Sequence, residues 1–317
     1  MDDAIRKADV LVEALPYIRQ FRDRIVVLKV GGSYMENEIA LQGTLQDIVF
    51  METVGMRPVV VHGGGKAITR AMELAGLKAR FVQGRRYTDE NTLAIVGSVL
   101  VDEINDDMVR RIEELGGRAA GLHYQTSQCL FGERTFLRGP DGQCEDLGRV
   151  GQVTRVDVRL IRNLCEAGAV PVIPSLAIDE AFRTSPPDVR HLLNVNADTA
   201  AAAVACQLHA EKLVVLTDTP GIWLDRHNPN SQATSLTVSQ CRGLIERGVI
   251  DAGMIPKVEA CLAALESGVR KTHIIDGRVP HSLLLEIFTD QGIGTEIIPD
   301  AERQEGEAVT LAQQGLA

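Results

Sequence analysis

Two clusters of glycine and lysine stand at the ends of strand-like segments in the first third of the chain. Lys29–Ser33 (KVGGS) completes the apolar run Ile25–Val30, and His62–Lys66 (HGGGK) follows Val59–Val61. Glycines at such places expose backbone N–H groups, which bind anions together with a nearby amine such as that of Lys29. Tight turns alone would also use glycine, and neither cluster matches the P-loop or the dinucleotide fingerprint. Two clusters at adjacent strand ends favour a phosphate site.

An acid and a second lysine occur further along, each next to a predicted helix. Asn194–Asp198 (NVNAD) precedes the alanine-rich start of a strong helix-forming segment. Asn196 or Asp198 could cap this helix, or Asp198 could face a ligand and hold lysine side chains in place. Gly253–Lys257 (GMIPK) puts Lys257 in the first turn of a helix, after a proline suited to that position. An isolated lysine there would be an ordinary surface residue.

The elements that must position these residues alternate between strand and helix. The predicted strands are nearly continuous in apolar character, as in parallel strands buried on both faces. They are Ile25–Val30, Val59–Val61, Val170–Ile173, Leu213–Leu216 and His273–Ile275. The predicted helices between them are Ala67–Ala75, Asn91–Leu115, Val156–Ala167, Thr199–Leu208 and Lys257–Ser267. The alternation predicts an α/β protein. A (β/α)8 barrel would alternate too, but irregular spacing and the glycine clusters favour an open, mainly parallel sheet.

Three segments depart from this alternation. Leu122–Val153 is rich in glycine turns and predicts a hairpin that leaves the sheet, and Asp179–His191 is a polar surface loop. Before the first strand, apolar residues recur at helical spacing, and Pro16 predicts a kinked helix or two short ones. This helix either packs against its own domain or binds a partner. The glutamate-rich tail 299–317 is predicted to be disordered.

Composition and charge limit the classes of function. At 317 residues the chain is long enough for about two domains or one large α/β unit. Its net charge of −10 disfavours binding to nucleic acids or anionic membranes, and no run approaches about 18 apolar residues. The six cysteines form no C-x-x-C pair, so we expect reduced thiols and no metal centre. The N-terminus carries no targeting pattern, which predicts a cytoplasmic protein.

Taken in order, the motifs K-x-G-G-S, H-G-G-G, N-x-N-x-D and G-M-x-x-K resemble those of the amino-acid kinase family, from about Tyr17 to Ile298. The resemblance is greatest to members that phosphorylate the side-chain carboxylate of N-acetyl-L-glutamate with MgATP, the second step of arginine biosynthesis. It implies a three-layer αβα sandwich with an open sheet. It also implies an oligomerisation helix in 1–22 and a kinase domain in 23–298, with an acetylglutamate-binding lobe at about 23–195 and an ATP-binding lobe at about 196–298. Only the short tail follows, so we expect no fused acetyltransferase.

The resemblance also implies a role for each matched residue. The implied catalytic residues are Lys29, Lys257 and Asp198, and the implied acetylglutamate-binding residues are Gly64, Gly65, Arg86 and Asn194. The implied nucleotide-binding residues are Lys29, Gly31, Gly32, Thr217, Asp218 and Lys257. We expect Mg²⁺ to be held by ATP phosphates and water, without protein ligands. Such a reaction depends on neutralising charge and on in-line positioning, and the ionised acceptor carboxylate needs no general base.

Regulation is implied by the same resemblance. The N-terminal helix and the segment Leu285–Thr295 are similar to those of arginine-inhibited members, which are hexamers built as trimers of dimers. The implied arginine pocket consists of Tyr17, Lys212, Glu286 and Gly292, and a nitrogen-signalling regulatory protein is a further candidate partner. Residues 121–135 and 179–191 depart from the family pattern, so two alternatives stay open: a kinase for a related acylated amino acid, and a catalytically idle arginine sensor. The retained lysines and Arg86 favour acetylglutamate phosphorylation.

Overall fold

A computed structural model describes residues 1–301 apart from 83, 139–142, 187, 226, 229–230 and 290–291. The predicted tail lies outside the described residues from position 302 onward. The α-helices are α1 (Asp2–Glu13), α2 (Leu15–Phe21), α3 (Glu38–Thr53), α4 (Gly65–Leu74), α5 (Glu90–Ser98), α6 (Asp106–Glu114), α7 (Val158–Glu166), α8 (Ala197–Leu208), α9 (Val238–Glu246), α10 (Ile255–Glu266) and α11 (Ser282–Phe288). A π-helix, Val99–Asn105, joins α5 to α6.

The strands are β1 (Ile25–Val30), β2 (Arg57–His62), β3 (Phe81–Val82), β4 (Arg85–Arg86), β5 (Ala119–Gly121), β6 (Leu130–Arg138), β7 (Cys144–Val156), β8 (Val170–Pro174), β9 (Leu176–Asp179), β10 (Leu192–Val195), β11 (Lys212–Thr217), β12 (Ser235–Thr237), β13 (Lys271–Asp276) and β14 (Thr295–Ile298). Eight of them form the main sheet in the order β12-β14-β13-β11-β1-β2-β8-β5. The six strands from β13 to β5 are parallel, and β14 and β12 run antiparallel to them. The predicted open, mainly parallel sheet is confirmed.

Helices cover both faces of this sheet. Alternate residues of a strand point to opposite faces, so Val27 of β1 packs with α7, α8, α9 and α10, whereas Val26 and Leu28 pack with α2, α3, α6 and α11. On both faces the strand residues Val26, Val27 and Leu28 are fully buried. The result is the three-layer αβα sandwich. None of the described helices is long and apolar enough to cross a bilayer.

The predicted hairpin is the core of a second, smaller sheet. Strands β6 and β7 pair antiparallel, and with β9 and β10 they form a four-stranded sheet that closes on itself. Its apolar residues Leu176, Ile178 and Leu192 pack against α4, α5 and the π-helix. Because β10 leads directly into α8, this small sheet fixes where the NVNAD segment enters the main site.

The N-terminal segment forms two helices that meet at Ala14, with Pro16 in the first turn of α2. The predicted long helix Asn91–Leu115 is instead α5, the π-helix and α6 in succession, and α3 has no counterpart among the predicted elements. The described part of the loop Asp179–His191, which excludes residue 187, contains two short 3₁₀ turns. The cysteines are unpaired, and four of the six are buried, as expected of reduced thiols.

Candidate active site

The KVGGS cluster places an ammonium group at the carboxyl end of β1, where open α/β sheets bind ligands. Lys29 is only 4% exposed. Its side chain folds back over the following turn and packs against Gly31, where a Cβ would lie 2.6 Å from Lys29 Nζ. Gly32 has a φ of +99°, a left-handed conformation that favours glycine. The backbone therefore favours glycine at position 32, whereas Gly31 leaves room for the Lys29 side chain.

Asp198 lies between the two lysines. Its Oδ1 is 2.9 Å from Lys29 Nζ, and its Oδ2 is 4.0 Å from Lys257 Nζ. The N-cap of α8 is Asn196, whose side chain accepts the N–H groups of Asp198 and Thr199 at 2.9 and 3.1 Å. Asp198 is thus free of the capping role, and its carboxylate faces the lysines. Three segments that are far apart in sequence meet at this carboxylate.

The charges at this point leave a surplus of one positive charge. Burial works to raise the pKa of Asp198, but the ammonium groups of Lys29 and Lys257 outweigh it and lower the pKa below its usual range. The carboxylate is therefore ionised at neutral pH and faces two cations. Lys257 has a 20% exposed side chain, against 5% for Lys29, so the second amine borders the open cleft. An anion entering the cleft would meet a net positive centre.

The HGGGK turn offers backbone donors beside the lysines. Gly64 precedes the first residue of α4, and within the described residues no acceptor takes its N–H. A Cβ at Gly64 would lie 2.7 Å from Ile104 Cδ1 and 2.8 Å from Leu100 Cδ2, so the turn is pressed against the π-helix. A free N–H at a helix N-terminus suits an anion.

Arg86 is a buried cation without a buried anion. Its Nη2 donates to Gly65 O at 2.9 Å and to Thr69 Oγ1 at 2.7 Å, and its guanidinium lies 4.8 Å from the centre of the Phe81 ring. Burial lowers the pKa of this guanidinium. No carboxylate of the described residues lies within ion-pair distance of it, so a ligand carboxylate fits this place.

A cavity of about 230 Å³ brings these groups together. Asn194 of β10 borders it and donates its amide N–H to Thr88 Oγ1 at 3.1 Å. The predicted residues that line this cavity are Lys29, Gly31, Gly32, Gly64, Gly65, Arg86, Asn194 and Asp198. The structure thus brings the predicted catalytic and acetylglutamate-binding residues to one place, with Lys257 at its border.

Two further cavities follow in succession, the first bordering this one and the second bordering the first. The first, about 530 Å³, is lined by Gly32, Arg86, Thr217, Asp218 and Lys257, among others. Asp218 accepts a hydrogen bond from Ser33 Oγ, which lowers the pKa of this carboxyl. The second, about 390 Å³, shares Asp218 and is lined mainly by apolar residues, namely Pro220, Ile222, Trp223, Val249, Ile250 and Met254. Sequence reasoning missed Trp223, the only tryptophan in the chain. Its position shortly after the TDTPG segment was the available signal.

The four predicted arginine-pocket residues lie around the other end of β11. Glu286 of α11 is buried and accepts from His273 Nδ1 at 2.6 Å and from the Ile293 N–H at 2.9 Å. A Cβ at Gly292 would lie 3.4 Å from Glu286 Oε2. Lys212 Nζ lies 4.8 Å from the centre of the Phe21 ring, and the Tyr17 ring contacts that of Phe288 edge-on, with 6.5 Å between centroids.

This group is separate from the lysine centre. Lys212 begins β11 and Thr217 ends it, so the two lie roughly 17 Å apart along the strand. Burial works to raise the pKa of Glu286, but the hydrogen bond from His273 outweighs it and lowers the pKa. Burial also lowers the pKa of Lys212. His273 and Phe21 were not among the predicted residues, because nothing in their local sequence marks them.

Across the described ranges, no group of three or more His, Cys, Asp or Glu side chains is arranged to hold a metal ion. Asp198 is engaged by two ammonium groups and Asp218 by Ser33. Any divalent cation here would therefore take most of its ligands from a bound molecule and from water.

Comparison with known proteins gives concordant matches. The model of the amino acid kinase family matches residues 24–276. The acetylglutamate kinase of Methanococcus vannielii is 44% identical over 301 residues, which cover 94% of this chain and 100% of that one. The acetylglutamate kinase of Pelotomaculum thermopropionicum is 46% identical over 295 residues, which cover 92% and 97%.

Among solved structures, the N-acetylglutamate synthase of Neisseria gonorrhoeae with coenzyme A and N-acetyl-glutamate is similar, with a TM-score of 0.78 at 25% identity. The match covers 97% of this chain and 70% of that chain. A second structure of that synthase, with coenzyme A and L-arginine, has a TM-score of 0.75 at 25% identity and covers 92% and 65%.

Proposed function

Because the chain belongs to the amino acid kinase family, and within it to the acetylglutamate kinases, we propose that it transfers the γ-phosphoryl group of ATP to the side-chain carboxylate of N-acetyl-L-glutamate. The product is N-acetyl-L-glutamyl 5-phosphate, and the reaction is the second step of arginine biosynthesis. One observation carries the proposal: Lys29, Asp198 and Lys257 meet where the 230 Å³ cavity borders the 530 Å³ cavity. The acceptor and the nucleotide would enter from these two sides.

The reaction joins two anions. A carboxylate oxygen of acetylglutamate attacks the γ-phosphorus, the bond from phosphorus to the β,γ-bridging oxygen breaks, and ADP leaves with that electron pair. No proton is transferred, since the carboxylate is already ionised at neutral pH. The barrier therefore consists mainly of bringing like charges together in line.

We assign the neutralisation of this charge to the two lysines. Lys29 and Lys257 would contact the transferring phosphoryl group from two sides. Asp198 would fix the positions of the two ammonium groups relative to each other. The free N–H of Gly64, with those of Gly65, Gly31 and Gly32, would donate hydrogen bonds to the phosphoryl oxygens as negative charge develops on them. The surplus positive charge and the unpaired N–H of Gly64 support these roles.

We assign recognition of the amino acid to Arg86 and Asn194. The guanidinium of Arg86 would bind the α-carboxylate through paired hydrogen bonds. Its burial without a carboxylate partner in the described residues supports this role. Asn194 would bind the amino-acid backbone or the acetamide from the opposite wall.

We place the nucleotide in the 530 and 390 Å³ cavities. Its phosphates would lie near Gly31, Gly32 and Lys257, beside Thr217 and Asp218, and its base would enter the apolar cavity lined by Trp223. Mg²⁺ would be held mainly by the phosphates and water, and when bound it would offset phosphate charge. The lobes at 23–195 and 196–298 stay predictions, as does the cytoplasmic location.

The experiment is ATP-dependent acyl-phosphate formation trapped by hydroxylamine, with N-acetylglutamate, glutamate and N-acetylaminoadipate as acceptors. We expect product from N-acetylglutamate, a loss of at least about 100-fold in kcat for Lys29→Met, and no change for the exposed-lysine control Lys78→Met. Product from N-acetylaminoadipate alone would favour a kinase for a related acylated amino acid. The divergent residues 121–135 and 179–191 would then be the candidates for the altered substrate specificity. No product with any acceptor, with arginine still bound, would favour the idle sensor.

We further propose feedback inhibition by arginine at Tyr17, Lys212, Glu286 and Gly292. The guanidinium of arginine would pair with Glu286. The ionised state of Glu286, set by the pKa lowering described above, supports this pairing. The related synthase solved with L-arginine supports it also. Glu286→Gln should raise the arginine concentration for half-inhibition by at least about 10-fold, with kcat unchanged.

We propose that α1 joins dimers into a homohexamer. Ile5, Val10, Leu11 and Val12 of α1 are all more than half exposed, and several exposed large apolar side chains on one helix favour an interaction partner. Deleting residues 1–20 should remove both the hexamer and the arginine response; a truncated protein still hexameric by light scattering would contradict this. Binding of a nitrogen-signalling regulatory protein stays a prediction, to be tested by gentle co-purification.

A further inference from the structure

A chain of buried polar groups lies directly behind the HGGGK turn. His62, the last residue of β2, is fully buried, and its Nε2 lies 3.0 Å from Asn105 Nδ2. The same Asn105 nitrogen lies 3.0 Å from Val172 O, and His62 Nδ1 lies 3.3 Å from Gly63 O. Asn105 is the last residue of the π-helix. Neither His62 nor Asn105 lines the three cavities described above, so the proposed reaction does not use their side chains directly.

The contacts determine which ring nitrogen of His62 carries the proton. A carbonyl oxygen can only accept, so the Asn105 atom beside Val172 O must be the amide nitrogen, which only donates. Its second hydrogen then points to His62 Nε2, which must accept. Burial lowers the pKa of His62 to about 4, so the ring is neutral at neutral pH. The single ring proton therefore lies on Nδ1 and is donated to Gly63 O.

This hydrogen bond orients the peptide that faces the substrate. The C=O of Gly63 and the N–H of Gly64 belong to one planar trans peptide and point in opposite directions. Holding the carbonyl towards His62 turns the Gly64 N–H away from it, to the side of the glycines that line the cavity. The backbone N–H of Gly63 is fixed separately, by donation to Val30 O at 3.1 Å.

We propose that Asn105 and His62 are positioning residues that aim the Gly64 N–H at the transferring phosphoryl group. This inference rests on the proposed function. The π-helix serves it geometrically, because residues five apart lie on one face of a π-helix. Leu100 can then pack against Gly64 while Asn105 reaches His62. The Asn105 side chain packs directly against the backbone of Gly121, since a Cβ there would lie 2.3 Å from Asn105 Oδ1.

Two variants disturb the pair without touching the cavities. Asn105→Leu removes the donor, and Gly121→Ala displaces Asn105. We expect kcat to fall between roughly 10- and 100-fold in each, less than the about 100- to 1000-fold cost of deleting an oxyanion donor. KM for both substrates should change by less than about 3-fold, because the lysines and Arg86 stay in place.

The controls separate positioning from general destabilisation. Gly43→Ala, in the open middle of α3, should leave kcat unchanged and should not lower the melting temperature, because alanine is the better helix former. Ile161→Ala removes buried core volume from α7 and should lower the melting temperature while kcat stays at the wild-type value. A melting temperature loss in Asn105→Leu like that of Ile161→Ala, without a kcat loss, would overturn the inference.

A measurement on the wild-type protein is independent of whether the variants fold. ¹⁵N NMR of histidine-labelled protein reports the tautomer of His62, assigned by comparison with His62→Gln. The neutral Nδ1-protonated form is expected, and an Nε2-protonated ring would overturn the inference. A wild-type protein without kinase activity would overturn the proposed function and this inference together, whereas an active enzyme with the wrong tautomer or an unaffected Asn105→Leu variant would overturn this inference alone.

Discussion

The carboxylate between the two lysines gives the sharpest prediction. Asp198→Asn keeps the shape of the side chain and removes its charge. At an effective dielectric constant of about 20, Coulomb's law gives an attraction of roughly 6 kcal/mol for the 2.9 Å pair with Lys29 and roughly 4 kcal/mol for the 4.0 Å pair with Lys257. Desolvation of the three groups offsets much of this. Removing one partner of a buried pair costs about 3–5 kcal/mol.

The substitution should therefore lower the melting temperature by roughly 6–10 °C, at about 2 °C per kcal/mol for a chain of this size. It should also lower kcat by at least about 100-fold, because the ammonium groups of Lys29 and Lys257 are no longer held in position for the phosphoryl group. Both lysines would then lack a counter-ion, so sulfate or ATP should stabilise Asp198→Asn more than the wild-type protein. Differential scanning fluorimetry with increasing sulfate measures this.

Asp47→Asn is the matched control. Asp47 is also buried, and its side-chain partner is His281, whose Nδ1 lies at 2.6 Å. Its substitution should destabilise the protein without an enhanced anion response. Equal anion responses in the two variants would refute the account of Asp198, as would a wild-type kcat in Asp198→Asn. Because the pKa of Asp198 is lowered on folding, its stabilisation is complete above the unfolded value of about 3.9 and is lost as the pH falls through the folded value.

Three further predictions concern single residues. His62 has a pKa of about 4 when folded and 6.5 in the reference state, so the unfolded chain binds the extra proton between these values, and the free energy of unfolding should fall by about 3 kcal/mol as the pH drops from 6.5 to 4. Urea titrations at several pH values should show that the free energy of unfolding depends less steeply on pH in His62→Gln than in the wild-type protein. Arg86→Lys should raise KM for N-acetylglutamate by roughly 10- to 100-fold and leave KM for ATP unchanged in steady-state assays, because paired hydrogen bonds to a carboxylate are lost. ATP and adenosine should change the fluorescence of Trp223, the sole tryptophan, whereas N-acetylglutamate alone should not; equal signals would contradict the nucleotide placement.

Sequence patterns predicted the elements whose burial is uniform. Strands such as β1 and β11 are buried along nearly their whole length, so their apolar runs are unbroken. Helix α3 was missed because its run Ile48–Met51 is as apolar as a strand. The π-helix was missed for a related reason: Val99–Val101 are all apolar and carry no pattern that separates i→i+5 from i→i+4 hydrogen bonding.

The candidate site was predictable as a set of residues but not as a geometry. The motifs named Lys29, Asp198 and Lys257, yet their meeting depends on β1 lying between β2 and β11, and strand order is not encoded in local periodicity. Trp223 follows the TDTPG segment without belonging to it, and Asn105 belongs to no motif. Each gains its place from long-range packing, Trp223 beside a cavity and Asn105 behind a turn.

The central position of β1 has a consequence for synthesis. One edge of β1 pairs with β2, which follows within about thirty residues, but the other edge pairs with β11, at residues 212–217. At roughly 5–20 residues per second, translation leaves this second edge without its partner for about 10–40 s. During that time an apolar strand presents open hydrogen-bonding groups to other nascent chains. We therefore expect the growing chain to bind chaperones that recognise unpaired apolar strands until β11 has been synthesised.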